Sequence, residues 1–481
     1  MELTIFIIAF CYIQRTLCFD ATLYKFPNDF SFGVATSAYQ IEGAWNVSGK
    51  GYSYWDYITH EVKVVVEDGS TGDVACDSYH KTDVDIALLK RLGVNHYRFS
   101  IAWTRIYPTG MINNISRDGI AYYDNLINKL LDAGIKPWVT IYHWDHPYGI
   151  QRLGGWFQPK MADYIADYAD LLFKLYGDRV KTWITINEPY SLCVNAINVM
   201  AYIPKGFAEY MCGQNVLRAH VAIWRVYQKY RSTQNGKLSM AFNVQAHFPA
   251  TDSPADIEAA ERLNQFAFGW FVNPVVHGNY PKVMIDTIAS YSEKQGFKES
   301  RLPPLSPEDL ADLKGSCDFI GLNTYDVYLV SSNNGTVDVN PSYSNDCGAN
   351  IIDPNWNVSY AIHMKAKGLG VLLNWIKKNY NNPEVRITEQ GYWEDARNVF
   401  DFDRSAYIVA NTAQMLKSIY KDKVNLTAYS YWSFMDNFEW NKGYIRKYGL
   451  IDVDFKDPTR KRRLKLSAGT FSTIASNRKL I

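Results

Sequence analysis

Charge of one sign is what this 481-residue chain most lacks: 50 Lys and Arg stand against 49 Asp and Glu, so 50 − 49 = +1. A balance this even supplies no overall field to gather nucleic acid or an anionic membrane. Cysteine is scarce, at seven, and no C-x-x-C occurs, which argues against a zinc ribbon or a thioredoxin-like motif. No apolar run reaches the roughly 20 residues that span a membrane. No internal repeat, low-complexity tract or Pro/Gly/Ser-rich linker divides the chain. One continuous domain over 19–481 is the reading that remains.

The two ends carry their own signals. Leu3 to Ile13 is a single apolar run of signal-peptide length, although Glu2 stands where a positive residue is usual. Small residues near Thr16 and Cys18 place the cut at about Cys18, so 1–18 reads as a secretory signal peptide. Five sequons, at Asn46, Asn114, Asn334, Asn357 and Asn425, agree with a secreted, N-glycosylated protein. Removing the leader leaves Cys76, Cys193, Cys212, Cys317 and Cys347; at least one must stay unpaired or bridge chains. Buried thiols with one loop disulfide are expected. The basic run Arg460 to Lys465 reads as a solvated tail, since a secreted chain never meets nuclear import.

What the chain has in quantity is apolar and aromatic surface: 47% hydrophobic and 15% aromatic, with 14 Trp and 35 Tyr. That is enough to bury a large core and to stack on sugars. Short β-rich runs alternate with amphipathic segments along nearly the whole length. Eight candidate strands are 30–40, 96–103, 136–144, 180–189, 237–245, 317–326, 385–391 and 425–434. Between them, 160–177 sets Ile165, Tyr168, Leu171, Leu172 and Leu175 on one helical face, and 83–93, 121–134, 214–231, 368–380 and 403–421 look alike. The pattern predicts an α/β fold, a single (β/α)8 TIM barrel with extended βα loops; a doubly wound open sheet gives similar alternation.

In such a barrel chemistry collects at the C-terminal ends of the strands. The unusual residues fall there: Gln40, Arg98, His143, Asn187, Glu188, Tyr325, Glu389 and Trp432. Glu188 and Glu389, on the fourth and seventh strands, lie 389 − 188 = 201 residues apart, so only closure brings them together. Two carboxylates across one mouth suit glycosidic cleavage, one protonating the departing oxygen and the other attacking the sugar or activating water. The acid needs burial and a nearby anion to keep its proton; its partner needs a guanidinium, for which Arg98 is the candidate.

Thr185-Ile-Asn-Glu-Pro189 and Ile387-Thr-Glu-Gln-Gly391 resemble the two catalytic signatures of glycoside hydrolase family 1, the retaining β-glucosidases and their relatives, including thioglucosidases of insects. Ser31 to Gly43, Tyr97 to Trp103, Tyr142 to Asp145 and Trp432 to Trp440 resemble further signatures in the same order. The resemblance implies Glu188 as acid/base and Glu389 as nucleophile, at the separation of about 5–5.5 Å that retention requires. It also implies Asn187 on the sugar 2-hydroxyl and Tyr325 with Arg98 beside the nucleophile. Gln40, His143, Glu439 and Trp440 would hold the outer hydroxyls over a Trp432 floor. A small β-glucoside is the implied partner of an exo-acting monomer or homodimer, with no cofactor and no metal.

Other readings stay in view. His143-Trp-Asp145-His146 offers metal-ligand types without a matching spacing, and Gly368-Leu-Gly370 lacks the third glycine of a dinucleotide loop. Trp356 faces a leaving group or packs locally. Gln390, His146 and Tyr148 replace the usual Asn, Leu and Gln, and Met364 to Gly368 lacks a frequent Pro, which touches the entrance loops. Glu439 argues against phosphorylated sugars, because an anion repels phosphate. Alternatives are a thioglucosidase, against which Glu188 leans because a thiolate needs little protonation, and a silent carbohydrate-binding relative, which would usually have lost one carboxylate.

Overall fold

The computed structural model describes residues 19–196, 203–333, 337–395 and 397–480; the leader 1–18 and the sequon at Asn334 lie outside them. Eight strands close into a barrel: β1 Ser31–Ala35, β2 His96–Ser100, β3 Lys136–Tyr142, β4 Thr182–Asn187, β5 Lys237–Asn243, β6 Ile320–Asn323, β7 Val385–Gln390 and β8 Leu426–Trp432. Each pairs in parallel with its sequence neighbours, and β8 closes on β1 through Ser31↔Ala428 to Ala35↔Trp432. The strands are buried on both faces because helices cover the outside and side chains, several of them polar, fill the inside. All eight expected strands are present and shorter than their apolar runs.

The overshoot has a local cause at each end. The first run continues past Ala35 into a one-turn helix, Ala38–Ile41, so Gln40 sits on that helix and not on a strand end as expected. Ser100 Oγ accepts from the Ala38 N–H at 2.7 Å, drawing the chain out of the sheet.

Outside lie α1 Thr82–Leu92, α2 Arg117–Asp132, α3 Met161–Tyr176, α4 Ala208–Gln234, α5 Pro254–Asn264, α6 Val358–Asn379, α7 Phe402–Tyr420 and α8 Leu466–Asn477. Each shows its sequence logic. Gly93 ends α1 in the left-handed region at φ 69°, where only a residue without Cβ is unstrained. Ile165, Tyr168, Leu172 and Phe173 form the buried stripe of α3. Helix α6 begins ten residues before the expected 368, because the Asn357 side chain accepts the Tyr360 N–H and caps it there. Gly368 and Gly370 therefore lie mid-helix and pack, with no phosphate loop near them.

Three further features were not legible as elements. Three more helices follow α5 before β6. The strands Ala246–Pro249, Val327–Ser332 and Ala349–Ile352 form a small sheet beside the mouth. The basic run is no solvated tail: Arg462–Leu464 pairs with Ile451–Val453, Arg462 meets Asp85 at 2.5 Å, and buried Lys465 meets buried Asp436 at 2.7 Å. A charge leaves water when a partner and a strand register are waiting for it, which composition alone does not reveal.

Cys193 and Cys212 form the disulfide, tying the segment after β4 to α4. Cys76 and Cys347 are buried free thiols, and Cys317 is half-buried. Among the described residues no helix is long and apolar enough to cross a membrane.

Candidate active site

Every strand sends residues to one end of the barrel, and two of them arrive there by irregularity. The β4–β5 register shifts between Ile184 and Asn187, and β7 shifts against β6 between Ile387 and Glu389. A shift of this kind re-aims the side chains beyond it. Glu188 follows the first shift in a left-handed backbone, φ 51° and ψ 66°, an unusual conformation for a residue with a side chain. Its N–H is held by the Ala241 carbonyl at 2.8 Å and its carbonyl accepts from Leu192, so neighbouring structure enforces the conformation.

Arg98 stands at the centre and is wholly buried. Its Nη1 donates to Glu389 Oε1 at 2.5 Å and to the Thr388 carbonyl at 3.0 Å, its Nη2 to Asn187 Oδ1 at 2.7 Å, and its Nε to Thr140 Oγ1 at 3.0 Å. Such a set offsets the cost of taking a guanidinium from water. Tyr325 donates to the other oxygen, Glu389 Oε2, at 2.7 Å. Burial first, then both glutamates, hold the Tyr325 phenol well above its usual range, so it stays a donor.

Asn187 is oriented by the same cation. With Oδ1 turned to Arg98, its Nδ2 donates to His143 Nε2 at 3.0 Å. Burial first, then Arg98, lowers the His143 pKa well below normal, so the ring is neutral with its proton on Nδ1. That Nδ1 is buried and has no partner among the described residues. The His143 ring stacks near Trp432 and Trp440, centroids 5.8 and 6.0 Å away.

The second carboxyl differs from the first. Glu188 is pushed up to about 7 by burial and then by the charge of Glu389, against the pull of Asn323 and Ser191. Glu188 thus keeps its proton to near neutrality beside a carboxylate tied to a guanidinium. Glu439 is pushed up to about 8, again by burial first and Glu389 second. Trp432 hydrogen-bonds the Glu439 carboxyl, and Gln40 Nε2 reaches it at 3.3 Å while also donating to Asn437 and the Phe438 carbonyl.

The structure thus gathers all ten expected positions: Glu188, Glu389, Arg98, Asn187 and Tyr325 as one bonded network, and Gln40, His143, Trp432, Glu439 and Trp440 around it. Asn323 was missed by sequence reasoning. Its Nδ2 donates to Glu188 Oε1 at 2.9 Å and Asn187 Oδ1 at 3.1 Å, and its Oδ1 accepts from Thr388 at 2.7 Å. It is the link between the two glutamate strands, and the signal was its place two residues before Tyr325 at a strand end. Asn243, which grips Ser191 at 2.8 Å, was missed likewise.

The other expectations resolve locally. His146 lies between Tyr142 at 2.9 Å and Gln151 at 2.8 Å, and Tyr148 stacks on Tyr57 at 4.2 Å, so each unusual entrance residue has its own local partner. His143 and His146 are committed to different neighbours and do not form one ligand set; no group of three or more His, Cys, Asp or Glu among the described residues is suited to a metal ion. Gln390 binds Asn411 at 3.0 Å, and Trp356 packs edge-on to Tyr360.

A closed eight-stranded parallel barrel with an acid, a guanidinium-bound carboxylate and a polar, aromatic-lined basin at its C-terminal mouth defines a barrel glycoside hydrolase. The chain belongs to Glycosyl hydrolase family 1, whose sequence model matches residues 23–480. It is 42% identical over 466 residues to Myrosinase 1 of Brevicoryne brassicae, covering 95% of this chain and 99% of that one. Among solved structures it resembles aphid myrosinase at a TM-score of 0.88 and 42% identity, covering 94% and 99% of the two chains. It also resembles a mutant rice β-glucosidase in a covalent complex with Glc, at a TM-score of 0.86 and 34% identity, covering 93% and 98%.

Proposed function

We propose that this glycoside hydrolase removes terminal β-D-glucosyl residues from small glucosides with retention of configuration. The observation that carries the reading is the asymmetry of the two glutamates: Glu389 is bound by Arg98 and Tyr325, whereas Glu188 is pushed up to about 7. Glu389 attacks the anomeric carbon as Glu188 Oε–H protonates the leaving oxygen. The aglycone departs, and Glu188, now a base, takes a proton from water that resolves the glycosyl-enzyme. Arg98 and Tyr325 hold the nucleophile in aim through its two oxygens, and Asn187 meets the 2-hydroxyl, where contacts strengthen in the transition state. His143 Nδ1, Gln40, Glu439 and Trp440 take the outer hydroxyls over Trp432, since a neutral polyol needs convergent polar groups and an apolar face. The covalent sugar complex of the rice relative supports this route.

Replacing Glu389 with Gln should remove nearly all turnover of an aryl β-glucoside while circular dichroism stays unchanged. A 2-deoxy-2-fluoro glucoside should add one sugar mass to Glu389. Substantial residual turnover, or a folded protein without the adduct, ends the proposal.

The likeness to myrosinases favours a second reading, hydrolysis of S-glucosides. Glu188 favours O-glucosides, because an oxygen leaving group needs its proton. Matched O- and S-glucosides separate the two. Secretion and glycosylation also belong to the proposal: Asn46, Asn114, Asn357 and Asn425 are exposed, and expression of the whole chain in a secreting cell should yield a product that glycosidase treatment makes lighter. Size-exclusion chromatography should find a monomer or homodimer.

A further inference from the structure

The residue beside Glu389 is held from outside the barrel. Successive side chains of a strand point to opposite faces, so Glu389 turns into the mouth, to Arg98 and Tyr325, while Gln390 turns outward to α7. The sheet itself is irregular here. Strand β7 slips against β6 between Ile387 and Glu389, and against β8 between Ile387 and Gln390. The Glu389 carbonyl still accepts from Thr324 at 3.0 Å, but a slip on both sides interrupts the ladder at the point where the carboxylate is aimed.

One face of α7 supplies the missing support. Arg404, Tyr407 and Asn411 recur there at spacings of three and four, which sets them on a single stripe, and all three are fully buried. Asn411 Oδ1 accepts from Gln390 Nε2 at 3.0 Å while its Nδ2 donates to the Tyr407 carbonyl at 2.9 Å, so both ends of the amide are fixed. Gln390 Oε1 has no partner among the described residues, which leaves Asn411 as the hold on that side chain. Tyr407 donates to the Tyr325 carbonyl at 3.4 Å, and Arg404 donates to the Tyr392 carbonyl at 3.0 Å and the Lys447 carbonyl at 2.7 Å. The stripe thus grips the residue next to Glu389, the backbone of its hydroxyl partner and the segment that follows it.

We propose that Asn411 is a positioning residue for Glu389: by fixing Gln390 outward, it sets the strand rotation that presents the carboxylate inward. This rests on Glu389 as the nucleophile and assigns the aim of that group to the outer helix layer. Gln390, which replaces the usual Asn, gains a task by the same step.

The rate at which a 2-deoxy-2-fluoro glucoside labels Glu389 reports the aim. A misplacement of about 1 Å costs on the order of 100-fold in rate. Asn411→Ala releases one support of several, so the labelling rate constant at saturation should fall about tenfold while the half-saturating concentration stays within about twofold. Gln390→Ala should lose as much, and the double variant no more than either, because the two residues act as one unit. Gln390→Asn, one methylene shorter, should also label slowly, and adding Asn411→Gln should restore part of the rate. That amide-conserving exchange decides the matter if Asn411→Ala does not fold. A residue that merely stabilised the barrel would lower Tm and the yield of folded protein and leave the rate constant per labelled molecule unchanged. That result overturns the proposal, as do additive losses in the double variant or no recovery in the exchanged pair. Failure of the glucosidase reading shows separately, in wild type, as no adduct at Glu389, and the role of Asn411 falls with it.

Discussion

Burial raises the Glu188 carboxyl, and the consequence for the proposed acid is a pH profile. The acid form persists below about 7, so kcat/KM should fall as pH rises through that value, with Glu188 as the limb. Asn323 donates to the ionised carboxyl and lowers its pKa; Asn323→Ala should therefore move the alkaline limb upward as well as reduce kcat, measured as a full pH–rate profile. A residue that only stabilised the fold would leave the limb where it was. Sequence reasoning reached the charged pair because two glutamates after buried strands are expensive without a task. It did not reach Asn323, because an amide at a strand end is inexpensive, and its place two residues before Tyr325 gains meaning only once its two acceptors are in place.

Packing between elements turns one propensity argument around. Alanine is a better helix former than glycine by about 1 kcal/mol, and Gly368 and Gly370 both lie inside α6. A Cβ at Gly368 would come within 2.5 Å of Val327 Cγ2 and 2.8 Å of Ala246 Cβ, both short and fixed, whereas at Gly370 it meets the movable end of Gln414. Gly368→Ala should thus lose about 1–3 kcal/mol through overpacking and Gly370→Ala clearly less, read as the order of their Tm values. The barrel strands were legible because parallel strands under helices are continuous apolar runs; their ends were not, since hydrophobicity continues into turns such as Ala38–Ile41. The small sheet at the mouth escaped for the opposite reason: Ala349–Ile352 is largely exposed and carries no buried pattern to read.

Over the molecule as a whole, buried acids tie stability to pH. Asp145 is fully enclosed, with Oδ1 unpartnered among the described residues, and is pushed up to about 7 by burial and then by Glu42. Its folded pKa lies above its unfolded value near 4, so the stability it contributes is complete below about 4 and is lost as pH rises to about 7. Buried His146, His220 and His247 act oppositely: lowered to about 4 by burial, they contribute above about 6.5 and lose that as pH falls. The difference isolates the acid. Asp145→Asn should gain Tm relative to wild type steadily from pH 4 to 7, and a constant difference across that range contradicts the assignment.

The two slips in hydrogen-bond register set the proposed reacting acids into the frame of the barrel, leaving the surrounding rim free of that duty. Exchanging whole rim segments between related barrels should then trade one choice of departing group for another while the cleavage step keeps its pace.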